Sequence, residues 1–171
     1  MNQFDQFQNA LLLEPIAVNK YRVNLDSRYF VGKTPHGGYL NALMHKALIL
    51  SVPHTVAISS SIQYLNRIEV NDVVLEVEVF KTSKGSSSGL VKLYQDKKIC
   101  TVFNAICSDF EHMKGFDGLL TNPPDLYKNT PKRDYKNLNY DVISPGFTPS
   151  FIHQLSCTVH PNHAWWDRDM D

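Results

Sequence analysis

The sequence lacks the features that mark several large classes of protein. Its 171 residues carry 17 basic and 17 acidic side chains, so the formal net charge is zero and no basic surface for nucleic acid is expected. No apolar run approaches the roughly 20 residues that a membrane-spanning helix needs. The amino terminus lacks the basic region and cleavage site of a secretory signal. We therefore expect a globular cytoplasmic domain with neither a nucleic-acid partner nor a membrane span.

Cysteine is also scarce, and its spacing does not suggest a disulfide framework. Cys100, Cys107 and Cys157 form no CxxC pair, which predicts reduced thiols. Cys100 and Cys107 lie an odd number of residues apart in a strand-like run, so we expect them on opposite faces of a sheet. The histidines around Cys157 lack regular ligand spacing, and no metal site is expected.

Acidic residues are missing from the whole stretch between Asp26 and Glu69. That stretch contains the only long helical pattern in the chain, KTPHGGYLNALMHKALIL, at residues 33–50. Its apolar residues recur at the spacing of a helix face packed on a core: Leu40, Leu43, Met44, Ala47 and Leu48. Pro53 predicts the end of this helix, which carries no carboxylate.

Beyond the helix the apolar period changes from 3.6 to 2, which predicts strands. The runs are 56–65, 73–83, 88–95 and 98–110, separated by short turn-like segments. Earlier in the chain, residues 2–13 predict a short helix and 21–26 a strand. Later, residues 111–150 are rich in proline and predict a linker, and 151–161 predict a further strand. One long helix and several antiparallel strands indicate an α+β fold with the helix on one face.

The order of these elements carries a family resemblance. His36-Gly37-Gly38 opening the only long helix, followed by four strands with a Val70-Asn71-Asp72 turn, resembles the hotdog superfamily of acyl-CoA thioesterases. The similarity is greatest to the N-terminal half of the double-hotdog, type II proteins. It implies a long central helix wrapped by a twisted antiparallel sheet over residues 1–110. Residues 111–150 would then be a linker, and 151–171 the start of an incomplete second hotdog unit.

The glycines at the helix start suggest a site for developing negative charge. A helix N-terminus offers unpaired N–H groups and the positive end of a dipole, which suit the oxygen of a thioester under attack. Gly38 is our first candidate for the catalytic N–H donor, with Gly37 or Tyr39 as the alternative. A purely structural interpretation is also open, in which the glycines allow a tight junction that needs positive φ.

A general base is harder to assign from the sequence. The resemblance implies a carboxylate nine residues after the histidine, and His45 occupies that position. His45 could act as the base, because an unperturbed imidazole pKa lies near 6.5. Alternatively, His45 and Asn41 lie on the polar edge of the helix and form hydrogen bonds across an interface. In double-hotdog relatives, the resemblance places the carboxylate in the second unit.

The remaining candidates would bind the substrate. His36 either contacts the ligand or is positioned by the turn, and Tyr39 and Asn41 follow it on the same helix. Asn66 and Arg67 could reach a phosphate of coenzyme A, since guanidinium geometry suits phosphate, or they form a solvated strand end. Coenzyme A enters as part of the substrate, so no separate cofactor is expected.

Three functions fit these features. The first is an acyl-CoA thioesterase that hydrolyses fatty acyl-CoA. The second is a non-catalytic module that binds acyl-CoA or acyl lipid, which the missing carboxylate favours. The third is a dimerisation unit. Because hotdog units pair edge to edge and an exposed sheet edge needs covering, we also expect a homo-oligomer.

Overall fold

The computed structural model describes residues 2–69, 72–113, 115, 136–138, 146, 149–155 and 157–163. Within them lie two α-helices, α1 (Gln3–Ala10) and α2 (Gly37–Ile49). Asn2 caps α1 by accepting a hydrogen bond from the backbone N–H of Asp5, at 2.8 Å. Neither helix is long and apolar enough to cross a membrane.

The strands of the described residues follow in chain order: β1 (Glu14–Ala17), β2 (Lys20–Asn24), β3 (Phe30–Val31), β4 (Thr34–Pro35), β5 (Val56–Tyr64), β6 (Asp72–Thr82), β7 (Ser87–Gln95), β8 (Lys98–Ser108), β9 (Lys136–Asn137) and β10 (Thr158–Val159). The described residues also form four short 3₁₀ helices: Ser27–Tyr29, Phe110–His112, Ser150–Gln154 and Pro161–His163.

A six-stranded antiparallel sheet forms the body of the molecule, with the strand order β1-β2-β6-β7-β8-β5. The four strands expected after the long helix are confirmed, each to within two residues of the predicted bounds. The α+β architecture is confirmed as well, since α2 packs against this sheet. β5 forms one edge of the sheet and most of its residues are exposed.

The core lies between α2 and the inner face of the sheet. The apolar stripe predicted from the helical spacing is buried, and four of its side chains are fully inaccessible: Leu43, Met44, Ala47 and Leu48. They meet fully buried side chains of β6, β7 and β8 such as Leu75, Leu93 and Phe103. Burying one such large side chain contributes about 1.5–3 kcal/mol, so this layer fixes the position of α2 and of its N-terminus.

The expectation that Cys100 and Cys107 face opposite sides of the sheet is wrong. Both are buried, at 1% and 0% exposure. The register explains this, because Leu93 pairs with Thr101 whereas Tyr94 pairs with Ile99, so one extra residue, Cys100, is inserted in β8. Such a bulge breaks the alternation of faces. Both thiols, and that of Cys157, are free.

The strand predicted at 151–161 is also wrong over most of its length. Ser150–Gln154 forms a 3₁₀ helix after Pro149. Among the described residues of this segment, only Thr158–Val159 forms a strand, which pairs with Lys136–Asn137. The apolar side chains of this segment pack near the N-terminus of α2, where Phe151 stacks on His36, and the segment does not join the large sheet. Most of the predicted linker, and residues 164–171, lie outside the described residues. A second hotdog unit therefore stays a prediction.

Candidate functional site

The N-terminus of α2 is held by its own capping residue. His36 has extended backbone angles, and its Nδ1 accepts a hydrogen bond from the backbone N–H of Gly38 at 3.1 Å. Its carbonyl accepts the N–H groups of Tyr39 and Leu40, at 3.0 and 3.1 Å. His36 thus satisfies the donors of the first turn from Gly38 onwards, as capping residues do.

The backbone N–H of Gly37 is the donor of the first turn that His36 does not bond. Its N–H has no hydrogen-bond partner among the described residues, whereas its carbonyl accepts a bond from the Tyr64 hydroxyl at 2.7 Å. Gly38 was the first candidate from the sequence, but its N–H is occupied here and that of Tyr39 is bonded too. The geometry therefore favours the alternative donor, Gly37.

Close packing against neighbouring side chains, and not the backbone angles, favours glycine at both positions. Neither has positive φ, so the structural interpretation based on positive φ is wrong. A Cβ on Gly37 would lie 2.7 Å from the hydroxyl oxygen and 2.9 Å from Cζ of Tyr64. A Cβ on Gly38 would lie 3.1 Å from Cε1 of His36. Each glycine accommodates a ring that crosses the helix start.

A cavity of 480 Å³ opens on the Gly37 side of the helix N-terminus, and its lining includes Pro35, Leu40, Tyr64, Asn66 and Arg67. Arg67 lies at its wall and donates from Nε to Oγ1 of Thr34, at 3.0 Å. Asn66 has a structural partner, because its side-chain amide donates to the carbonyl of Ile99 at 2.7 Å. Of the two predicted phosphate contacts, Arg67 is therefore the better placed.

A second cavity, of 370 Å³, opens on the Gly38 side and is strongly apolar. Its lining includes Phe4, Phe7, Tyr29, Phe151 and Leu155, together with His36, Gly38 and Tyr39. The imidazole of His36 stacks on the ring of Phe151, with centroids 4.3 Å apart. The two cavities flank the same helix start, one with a cationic wall and one with an aromatic wall.

Tyr39 contributes to this second cavity mainly as a core residue. It is only 3% exposed, and its hydroxyl donates to the carbonyl of Ala10 at 2.8 Å and accepts the N–H of Asp26 at 3.1 Å. Burial raises the pKa of Tyr39 to about 12. Its ring also stacks on that of Tyr29, at 5.1 Å between centroids. These contacts tie α2 to the end of α1 and to the Asp26 turn.

Asn41 and His45 lie further along α2 and are half-buried. Asn41 Oδ1 and His45 Nε2 are buried and have no hydrogen-bond partner among the described residues. The His45 ring lies 6.3 Å from that of Phe103, and burial lowers its pKa. A rise of about 1.5 Å per residue puts His45 roughly 10 Å along the helix from Gly38. The structure does not bring His45 to the glycines within this chain.

Sequence reasoning missed two residues of the site, Tyr64 and Phe151. Tyr64 sits at the end of β5 and is 53% exposed, which gives no signal of a contact with the helix start. Phe151 follows Pro149, and its apolar character suggested a strand. Their contacts with Gly37 and His36 join segments that are distant in the sequence, so no local pattern indicates them.

Comparison with known proteins supports the architecture. Residues 25–108 match the family model described as the acyl-CoA thioesterase N-terminal domain. Structurally, the chain is similar to a protein from Thermobifida fusca described as a thioesterase II, at 19% identity and a TM-score of 0.67, covering 78% of this chain and 49% of that one. It is also similar to a hot dog fold protein of unknown function from Alicyclobacillus acidocaldarius, at 17% identity and a TM-score of 0.71, covering 86% and 52%.

The lengths of these matches are informative. This chain spans about half the length of the two structures above. By contrast, a protein from Thermus thermophilus, at 21% identity and a TM-score of 0.53, is covered over 98% of its length by 62% of this chain. No protein of curated function matches the sequence. The described sheet and helix thus correspond to one hotdog unit.

Proposed function

We propose that this chain is a hotdog unit of the acyl-CoA thioesterase type, which binds acyl-CoA at the N-terminus of α2 and positions the thioester for hydrolysis. The match of residues 25–108 to the acyl-CoA thioesterase N-terminal domain supports this proposal. The observation that carries the proposal is the N–H of Gly37, which no described residue bonds, at a helix start flanked by two cavities.

The thioester carbonyl would lie at Gly37. An unpaired N–H at a helix N-terminus, together with the helix dipole, stabilises the negative charge that develops on the carbonyl oxygen when water attacks. Because the donor belongs to a helix packed on the core, it is preorganised. Gly38 would contribute by keeping His36 in place as the cap, unless the imidazole releases the Gly38 N–H when the substrate arrives.

The two cavities would divide the substrate between them. The apolar cavity beside Gly38 suits the acyl chain, since its wall is built from aromatic and aliphatic side chains such as Phe7 and Phe151. The cavity beside Gly37 suits the coenzyme A moiety, with Arg67 available for a phosphate. On this assignment His36 and Tyr39 line the acyl side, and Asn66 shapes the coenzyme A side.

Hydrolysis also needs a base that activates water. α2 carries no Asp or Glu, and His45 lies half-buried about two helical turns beyond the glycines, with its Nε2 inaccessible. The proposal therefore places the base on a partner, either a second copy of this chain or the second hotdog unit. The exposed edge strand β5 supports such pairing, because it leaves a row of backbone groups open to another sheet.

The same observations favour a second candidate, binding of acyl-CoA without turnover. A chain with the helix N-terminus and both cavities but no base would hold the thioester and leave it intact. Asn41 and His45 would then serve packing or an interface, as one interpretation of the sequence held. The two candidates share the ligand and differ only in whether the carbon–sulfur bond breaks.

One experiment separates them. Binding of thioether analogues of acyl-CoA, which cannot be hydrolysed, is measured by calorimetry, and release of the coenzyme A thiol is measured with a panel of true thioesters. Binding with thiol release supports the thioesterase, and binding without release supports the binding module. Arg67→Ala should weaken binding at least several-fold. Arg22→Ala on β2, an exposed arginine outside both cavities, is the matched control.

Absence of binding to every analogue would overturn both candidates and leave the dimerisation unit. Equal weakening by Arg67→Ala and Arg22→Ala would show that charge alone attracts the ligand, which would contradict the assigned cavity.

A further inference from the structure

We infer that His54, Asp109 and His112 form a binding site for a transition-metal dication of the Zn²⁺ type, at the opposite end of α2 from the acyl-CoA site. One ligand atom from each residue lies within 4.8 Å of the others. The three residues come from the loop after α2, the end of β8 and the following 3₁₀ helix. Nothing in the proposed function requires them.

His54 is already oriented as a metal ligand would be. It is only 3% exposed, and its Nδ1 lies 2.8 Å from Oγ of Ser87. Ser87 can give its own proton to Oγ1 of Thr82, at 3.2 Å, which leaves its oxygen available to accept from Nδ1–H of His54. In that tautomer Nε2 carries the lone pair that a metal ion needs. Metal-binding histidines are held in this way, with the second ring nitrogen donating to a fixed acceptor.

Nε2 of His54 lies 3.3 Å from the carbonyl oxygen of Lys84, a long hydrogen bond for the tautomer that carries its proton on Nε2. A cation bound at Nε2 takes the place of that proton, and the ring then keeps its proton on Nδ1, next to Oγ of Ser87.

Asp109 supplies the anionic ligand. Its Oδ1 accepts the backbone N–H and the hydroxyl of Thr55, at 3.0 and 2.9 Å, and no bond to Oδ2 is found within the described residues. Those two bonds anchor the carboxylate before any cation arrives.

His112 completes the set. Its ring centroid lies 6.2 Å from that of His54, in an edge-on arrangement. Two imidazoles and one carboxylate are borderline ligands that favour Zn²⁺, Co²⁺ or Ni²⁺ over Mg²⁺ and Ca²⁺, and a water would fill a fourth tetrahedral position. A bound ion would join the end of β8 to the β6–β7 hairpin through His54, which contacts Lys84 and Ser87.

The test uses the whole chain after removal of metal with a chelator, and Zn²⁺ alone as the probe. Calorimetry should show one Zn²⁺ per chain. Affinity should fall more than tenfold in His112→Ala and in Asp109→Asn, and by about 10–100-fold in Ser87→Ala, which removes only the partner of His54. His153→Ala, a histidine outside the cluster, should bind like the parent chain. Metal-free circular dichroism of each variant confirms that it folds.

Co²⁺ gives a readout that nonspecific surface binding does not produce, since a tetrahedral site with two imidazoles yields visible d–d absorption. The parent chain should show this absorption, and His112→Ala should lose it. The inference is overturned if the parent chain binds no Zn²⁺, or if Asp109→Asn and His112→Ala bind Zn²⁺ as tightly as the parent.

Discussion

Replacing Gly37 by alanine tests the role of the helix start most sharply. The added Cβ would lie 2.7 Å from the hydroxyl oxygen and 2.9 Å from Cζ of Tyr64, which is closer than real Cβ contacts. The Tyr64 ring must therefore swing away and give up its 2.7 Å bond to the Gly37 carbonyl. The Gly37 N–H itself remains.

The stability of Gly37→Ala should change little. Alanine gains up to about 1 kcal/mol over glycine in helix propensity, and loss of one hydrogen bond costs about the same. Because the Tyr64 side chain is 53% exposed, its displacement leaves no buried cavity. We expect the free energy of unfolding to stay within about 1 kcal/mol of the parent value, measured by urea denaturation.

Ligand binding should respond far more strongly. Tyr64 lines the 480 Å³ cavity, so displacement of its ring changes the shape of that cavity, and the new methyl group stands beside the proposed oxyanion donor. A misplacement of about 1 Å at a reacting centre costs up to about 100-fold, so we expect a loss of about 10–100-fold in thiol release from acyl-CoA. If the parent chain does not hydrolyse acyl-CoA, the same loss is expected in its affinity for a thioether analogue. Gly85→Ala, where a Cβ meets nothing within 4 Å, is the control.

Two outcomes would refute this reasoning. An unchanged Gly37→Ala variant would show that nothing approaches the helix start there. An equal loss in Gly85→Ala would show that the effect is not local. Adding Tyr64→Ala to Gly37→Ala then separates the causes, since a rescue assigns the loss to the displaced ring and no rescue assigns it to the methyl group.

Further predictions concern side chains around the same helix. Burial lowers the pKa of His45 below its usual 6.5, so near that pH the unfolded chain binds more protons than the folded one. The free energy of unfolding should therefore fall as the pH drops below about 6.5. His45→Leu should make this pH dependence weaker, as measured by urea denaturation at several pH values. Asn66→Ala should lower the free energy of unfolding by about 1 kcal/mol, because its hydrogen bond to the carbonyl of Ile99 is lost. Arg67→Ala should weaken acyl-CoA binding without this loss of stability. Equal unfolding curves for Asn66→Ala and the parent would contradict the structural role of Asn66. Tyr39→Phe should lower the free energy of unfolding by about 1–3 kcal/mol, because the carbonyl of Ala10 and the N–H of Asp26 both lose their bond to the Tyr39 hydroxyl. Thermal unfolding measures this loss.

Much of the fold follows from local patterns in the sequence. The helical apolar spacing of 33–50 predicted α2, although the helix ends at Ile49, before the expected Pro53. Period-2 alternation predicted β6, β7 and β8 because one face of each of these strands is buried along much of its length. β5 was predicted too, although none of its residues is fully buried. β1 (Glu14–Ala17) was not predicted, since all four of its residues are exposed and show no alternation. Its pairing with β2 holds it in the sheet.

The site was only partly predictable, for a related reason. His36, Gly37 and Gly38 indicated a site at the helix start, because two glycines there lower helix stability and are expected only where something approaches the backbone. Which N–H remains free depends on the rotamer of His36, which sequence patterns do not encode. The walls of the cavities depend on Tyr64 and Phe151, which reach the helix from distant parts of the chain.

The most direct test of the proposed site is the backbone amide signal of Gly37. In an ¹⁵N–¹H NMR titration with a thioether analogue of acyl-CoA, this signal should shift downfield with the occupancy of the ligand as its N–H gains an acceptor. The amides of Gly38 and Tyr39, already bonded within the first turn, should move less. A Gly37 signal that stays in place while the ligand binds would contradict the account.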